Sequence, residues 1–253
     1  MVFSKVLAAT GVDGARVDAQ LDSSSVDVGG RITGRLVVDG GGAEQEVRGL
    51  EAVLVVDAMK TDDRAMLPTV LARADFDEGF TLDVEEHREV RFTLPVPEGA
   101  PPAMSERPAR VYVTSAADVE LAVDPTDLDP VTVRPTQLHR DVRTVMGELG
   151  LSLAREHVMR SRRGVMQELA FEPDASGTAA QDDVEVAFVP AEQGGYDLIV
   201  DQNIAGRQAK RLLADALDVD IDESEARVPM PGGPDGPGLE RVRQALRQRL
   251  DMA

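Results

Sequence analysis

His87, His139 and His157 are the only imidazoles in a chain of 253 residues that has no cysteine. None has a second histidine at the spacing a shared metal ion would need, so no zinc centre is predicted. The lack of cysteine removes disulfides, thiolate metal sites and thiol nucleophiles together. Ser23-Ser24-Ser25 lacks the strand, sharp turn and helix that expose a hydrolase serine, and no G-x-S-x-G occurs, so the triplet reads as a hydroxyl-rich turn. Gly29-Gly30-Arg31-Ile32-Thr33-Gly34 continues into Arg35 and Leu36, not Lys and Ser/Thr, and so fails as a phosphate loop. A strand follows it where a dinucleotide fingerprint needs a helix. The paired carboxylates Asp62-Asp63, Glu85-Glu86 and Asp182-Asp183 carry no information in a chain with 46 acidic residues. General acid–base work needs two carboxyls in different environments, not mere abundance. Asp124-Pro125-Thr126-Asp127-Leu128-Asp129-Pro130 gathers three carboxylates, which a calcium ion would use. It lacks the glycine and distal glutamate of a calcium loop and reads as an Asp-Pro turn. No catalytic, cofactor-binding or metal-ligating residue is assigned, and the expectation is a protein that is not an enzyme.

The formal net charge is -19, with 27 basic residues of which only Lys5, Lys60 and Lys210 are lysine. Such a surface does not release counterions from phosphates, so nucleic acid is not an expected partner. The balance fits a protein kept soluble in strong salt, and fits equally an arginine-favouring genome with a merely acidic surface; melting temperature against KCl separates the two. Met1 to Thr10 is too short for a secretory signal, and no apolar run approaches the ~18 residues of a membrane span. The expectation is a cytoplasmic protein without stable membrane insertion.

Val2, Phe3, Val6 and Leu7 fall on one side at helical spacing, predicting an N-terminal helix in residues 1–12. From Val17 the apolar period becomes two. Ile32, Leu36 and Val38 share one parity around Gly34, and Leu50, Ala52, Leu54 and Val56 share another, which predicts two half-buried strands. The glycines Gly40-Gly41-Gly42 between them suit a hairpin or loop. Asp57 to Glu78, with Pro68, reads as a polar loop. Val90, Phe92 and Leu94 form a strand stopped by Pro95 and Pro97, and three more short strands follow at Val111 and Val113, at Val119 to Val123, and at Val131 and Val133. That cadence belongs to an antiparallel β-sandwich.

Leu138, Val142, Val145, Met146 and Leu149 lie on one face of a helix that Thr136 can cap and Gly150 can end. It reads as a hinge between domains. Strand patterns return at Leu151 to Val158, Val165 to Phe171, Val184 to Phe188 and Tyr196 to Val200, with Gly194-Gly195 as a hairpin loop. A helix over Arg207 to Leu217, a Pro/Gly linker over Pro229 to Pro237, and a terminal helix striped by Leu239, Val242, Leu246 and Leu250 complete the reading. The domain ranges are 1–12, 13–134, 135–230 and 231–253.

Charge is uneven along the chain. Arg134 to Arg163 holds seven arginines against Asp141, Glu148 and Glu156, whereas Asp174 to Glu225 holds thirteen acids against three basic residues. Solvated ion pairs account for this blandly. The sharper expectation is that Arg155, Arg160, Arg162 and Arg163 meet an acidic surface of a partner or of the other domain.

Val17-Asp18-Ala19, Val28 to Gly34, Phe92-Thr93-Leu94-Pro95, Asp124 to Val131, the helix ending Leu149-Gly150, and Met166 to Phe171 occur in an order that resembles the bacterial and archaeal sporulation-control protein family, itself similar to arrestins. The match runs from the N-terminal helix to about Met230. The resemblance implies a mainly β fold of two antiparallel arrestin-like sandwiches in tandem, with an inter-domain and a C-terminal helix. It also implies a regulatory or adaptor role in developmental, stress or cell-cycle control, carries over no catalytic residue and calls for no cofactor. The expected partners are proteins of unknown identity, bound along an edge strand or in a groove. Edge strands and the terminal apolar stripe also offer surfaces for a homodimer. The competing reading is a ligand-binding sandwich for sugar or calcium, weakened for sugar because Tyr112, Tyr196 and six phenylalanines are the only candidate stacking platforms.

Overall fold

The computed structural model describes residues 15–60, 65–119, 128–161, 164–174, 183–191, 194–202, 227–231 and 236–250. These residues are mainly β, with fifteen strands and two helices among them. They divide into two compact units. The first comprises Met1–Val56, Val70–Pro97 and Arg110–Thr132; the second comprises Asp57–Thr69, Glu98–Ala109 and Val133–Ala253. The second unit therefore takes in two segments from the stretch expected to form the first domain. The expected helices at Val2 to Ala9 and Arg207 to Leu217 lie outside the described residues.

In the first unit, β1 (Arg16–Leu21), β3 (Arg31–Asp39) and β7 (His87–Pro95) form a three-stranded antiparallel sheet. Alternation along β3 and β7 buries Ile32, Leu36, Val38, Phe92 and Leu94 on one face and turns Arg31, Thr33, Arg35, Arg91 and Thr93 to the other. Gly34 is required where β3 crosses Phe92. A Cβ there would lie 2.4 Å from the Gln20 carbonyl oxygen and 2.9 Å from Phe92 Cζ. β4 (Gln45–Lys60) pairs antiparallel with β6 (Phe80–Leu82) and β8 (Val111–Val119). It buries Leu50, Ala52, Leu54 and Val56 on one face, and Val53 and Val55 on the other beside Tyr112. The glycine triplet makes a loop between two different sheets, not a hairpin, because β3 and β4 have different neighbours.

Two expectations in this region are corrected. Asp57 to Glu78 is not a loop: β4 continues to Lys60, and β5 spans Met66–Phe76 and pairs with β4. Met66, Leu67 and Val70 on β5 are exposed, so no half-buried alternation marks it, and Pro68 is tolerated because among the described residues the strand pairs on one side only. Val119 belongs to the continuous strand β8 instead of starting a new one. Most of the Asp-Pro turn lies outside the described residues, but Asp129–Pro130 forms the short β9, pairing with Val113 and Tyr112. Ser23 closes its turn locally: its hydroxyl donates to the Ser25 carbonyl at 3.0 Å and accepts from the Ser25 amide at 3.1 Å. The remaining short strands are β2 (Ser25–Asp27) and β10 (Thr132–Arg134).

The second unit is built on β11 (Leu151–Ser161), β12 (Gly164–Pro173), β13 (Val184–Pro190), β14 (Gly195–Gln202) and β15 (Arg227–Pro231), antiparallel and adjacent in chain order. Helices α1 (Gln137–Glu148) and α2 (Leu239–Arg249) cover one face of this sheet. Leu138, Val142, Val145 and Met146 of α1, and Val242 and Leu246 of α2, pack with Leu169, Phe171, Val186, Phe188, Leu198 and Val200. Helices thus cover this sheet face, and α1, expected as a hinge between domains, packs into the core of the second unit. An apolar stripe on each helix must be buried, and this sheet face is where both are. Met159, Met166, Ala187, Val189 and Ile199 cluster separately with Met59. The expected linker at Pro229 is corrected to a strand: Val228 and Met230 pair with Leu198 and Tyr196, and the prolines sit on an edge strand.

The segment 98–109 is tied into the second unit by side chains. The Glu156 carboxylate accepts the amides of Met104 at 3.0 Å, Ser105 at 2.8 Å and Ala109 at 2.9 Å. Gln167 Nε2 donates to the Pro102 carbonyl at 2.8 Å, and the Tyr196 hydroxyl donates to the Glu98 carbonyl.

Candidate functional site

The outer face of the β1, β3, β7 sheet is polar because strand alternation sends every second residue there. Thr33 lies opposite Thr93, and Arg35 lies opposite Arg91. Beside these rows is a cleft of about 400 Å³ lined by Asp22, Thr33, Gly34, Ala74, Asp75, Phe76, Arg91, Phe92 and Thr93. Its floor comes from β3 and β7 and one wall from the last residues of β5. Phe76 and the edge of the otherwise buried Phe92 ring supply apolar lining among the polar groups.

The charges around the cleft are of two kinds. Arg35 donates to Gln20 Oε1 through Nε at 3.1 Å and Nη2 at 2.9 Å, and its Nε lies 3.5 Å from Glu89 Oε1. The Asp22 carboxylate accepts from the Thr33 hydroxyl at 2.7 Å. The Arg91 and Asp75 side chains, by contrast, have no hydrogen-bond or ion-pair partner among the described residues, and Arg91 faces Arg35 across the strand pair. Like charges directly opposed on neighbouring strands repel. β7 pairs with β3 alone, so its other edge presents backbone donors and acceptors without a strand neighbour among the described residues.

Farther along the same face, His87 opens β7, and its Nδ1 is 2.7 Å from Asp39 Oδ1. That hydrogen bond, with help from Glu89, raises the imidazole above its usual 6.5. His139, in the first turn of α1, is buried, with Nδ1 2.6 Å from the Thr136 hydroxyl and its ring stacked on Phe188 at 4.2 Å. Burial, and secondarily Arg140, lowers it to about 3. His157 on β11 is lowered by desolvation and by Arg155. The three imidazoles are dispersed, and among the described residues no three His, Cys, Asp or Glu side chains gather where they could hold a metal ion.

Of the arginines singled out from the sequence, Arg155 and Arg160 do not share one face. Arg155 and Arg160 pair in an unbroken register with Ala170 and Val165, five residues apart on β11, and alternation sends them to opposite faces of the sheet. Arg155 lies 3.2 Å from Glu172. Arg162 and Arg163 lie outside the described residues. Sequence reasoning missed the cleft residues, although a signal existed: Arg31, Thr33 and Arg35, and then Arg91 and Thr93, hold the outward parity of their strands. Only the register brings the two sets together.

A family model described as SpoOM protein matches residues 3–202. In sequence the chain is similar to the sporulation-control protein spo0M of Bacillus subtilis (strain 168), with 24% identity over 201 residues, 76% of this chain and 77% of that one. In fold it is similar to the crystal structure of Spo0M, sporulation control protein, from Bacillus subtilis. The TM-score is 0.74 at 20% identity, over 95% of this chain and 99% of that one. No described helix is long and apolar enough to cross a membrane.

Proposed function

Because the chain belongs to the SpoOM protein family, we propose that it is a non-enzymatic regulatory protein of arrestin-like build that works by binding other proteins. The control role of the Bacillus subtilis relative supports the regulatory part of this reading. The single observation that supports protein binding is the one-sided pairing of β7, among the described residues, beside an open cleft of mixed apolar and charged lining. A free strand edge supplies main-chain hydrogen bonds to an incoming extended segment, and the adjoining cleft selects its side chains. Catalysis would need converging groups in contrasting environments, whereas the perturbed His139 is packed between α1 and the sheet, away from solvent.

A photo-crosslinking residue placed at Thr93, and as a control at Glu240 on α2, tests the reading in cells of the native host. Both positions are exposed. The expected result is a discrete protein adduct from position 93 and none from 240. Adducts from neither position, with the protein expressed and folded, would remove the docking role of this cleft.

A further inference from the structure

We propose that the cleft of the first unit receives an extended partner segment of mixed charge, which places a carboxylate on Arg91 and the Thr93 hydroxyl and a basic side chain against Asp75. This rests on the protein-binding reading above and adds the chemistry of the partner. Arg35 and Asp22 are already engaged by Gln20, Glu89 and Thr33. The charged side chains without a partner are Arg91 and Asp75, which line one cleft without pairing with each other, while Asp22, bonded to a neutral hydroxyl, keeps its negative charge on the same lining. Arg91 gains twice from an incoming carboxylate: a charge-assisted hydrogen bond forms, and its repulsion from Arg35 is offset. Arg31 stands on the same outer face, one row beyond Thr33 and Thr93, and is likewise unpaired among the described residues. It extends the positive side of the cleft along β3. In a chain of net charge -19, a cation left unpaired beside a hydroxyl and an edge strand is the point of this cleft where an acidic side chain can dock. Asp75 on the opposing wall sets the sign of the other end of the segment. The occupant is therefore neither uniformly acidic nor uniformly basic.

Fluorescently labelled short peptides of alternating valine and threonine, carrying one glutamate, one lysine, both or neither, serve as probes. Their binding to the full chain is followed by anisotropy at about 50 mM and about 300 mM salt. The peptide carrying both charges should bind tightest, and the glutamate peptide about tenfold tighter than the neutral one at low salt. Arg91→Glu should reverse the order of the glutamate and lysine peptides, Arg91→Gln should abolish the glutamate preference without reversal, and Asp75→Lys should abolish the advantage of adding lysine. Circular dichroism checks that each exposed substitution leaves the fold intact. Equal affinities for all four peptides, unchanged by these substitutions, would overturn the charge assignment while leaving the docking reading in place. Failure of every peptide to bind, alongside protein adducts at position 93, would overturn an extended segment as the occupant. Loss of those adducts is the separate result that defeats the proposed function.

Discussion

Acidification should weaken the second unit through one imidazole. His139 is 1% exposed, flat against Phe188 with an interplanar angle of 13°, edge-on to Tyr196 at 5.2 Å, and bonded to the Thr136 hydroxyl. Its value falls from 6.5 to about 3 because burial disfavours the charged ring, with a smaller push from Arg140. The unfolded chain therefore binds this proton more readily than the folded one, so stability is complete above about pH 7 and declines as pH falls from 6.5 towards 3. At about 1.4 kcal/mol per pH unit the full effect is about 5 kcal/mol, of which about 2 kcal/mol is already expressed at pH 5. Replacing His139 by Phe keeps an aromatic ring beside Phe188 and removes the proton site. Urea unfolding of both proteins at pH 7.5 and pH 5, followed by Tyr196 fluorescence in a Tyr112→Phe background, isolates the second unit. His139→Phe should lose about 2 kcal/mol less than its parent between the two pH values, the carboxylate contributions being common to both. Equal losses would refute the idea that this ring is held neutral by burial.

Three further outcomes follow from single contacts. Glu156→Gln turns an amide group toward a loop of backbone donors and should cost about 2 to 3 kcal/mol, with faster hydrogen exchange at Met104, Ser105 and Ala109; slow exchange at all three would count against it. Gly34→Ala forces its methyl onto the Gln20 carbonyl and the Phe92 ring, and thermal unfolding should report a loss of about 3 kcal/mol or more in the first unit; an unchanged melting temperature would mean the strands can part at no cost. His87 should titrate above 6.5 by NMR, because the charged ring is held first by its bond to Asp39. Its contribution to stability is present below 6.5 and lost as pH rises through the raised value, and Asp39→Asn should bring the midpoint back down.

Much of this molecule was legible from local chemistry. Thr136, the stripe from Leu138 to Met146 and the positive-φ Gly150 mark α1 unaided, since capping, helical period and termination are written within fifteen residues. The parity of Ile32, Leu36 and Val38 likewise announced which face of β3 is buried, because a half-buried strand must alternate. Where both faces are covered or one-sided pairing replaces burial, that signal vanishes. β5 exposes Met66, Leu67 and Val70 and so looked like a loop, and β15 hid behind its prolines, which an edge strand tolerates. The absence of cysteine and the presence of three widely spaced histidines are properties of the sequence and need no coordinates. The facing of Arg35 and Arg91, the divergence of Arg155 and Arg160, and the burial of His139 depended on register and packing between segments far apart in the chain. Charge and period are local quantities that a sequence carries on its face; which side chains become neighbours is set by how strands pair and layers close, and that is decided only when the chain folds.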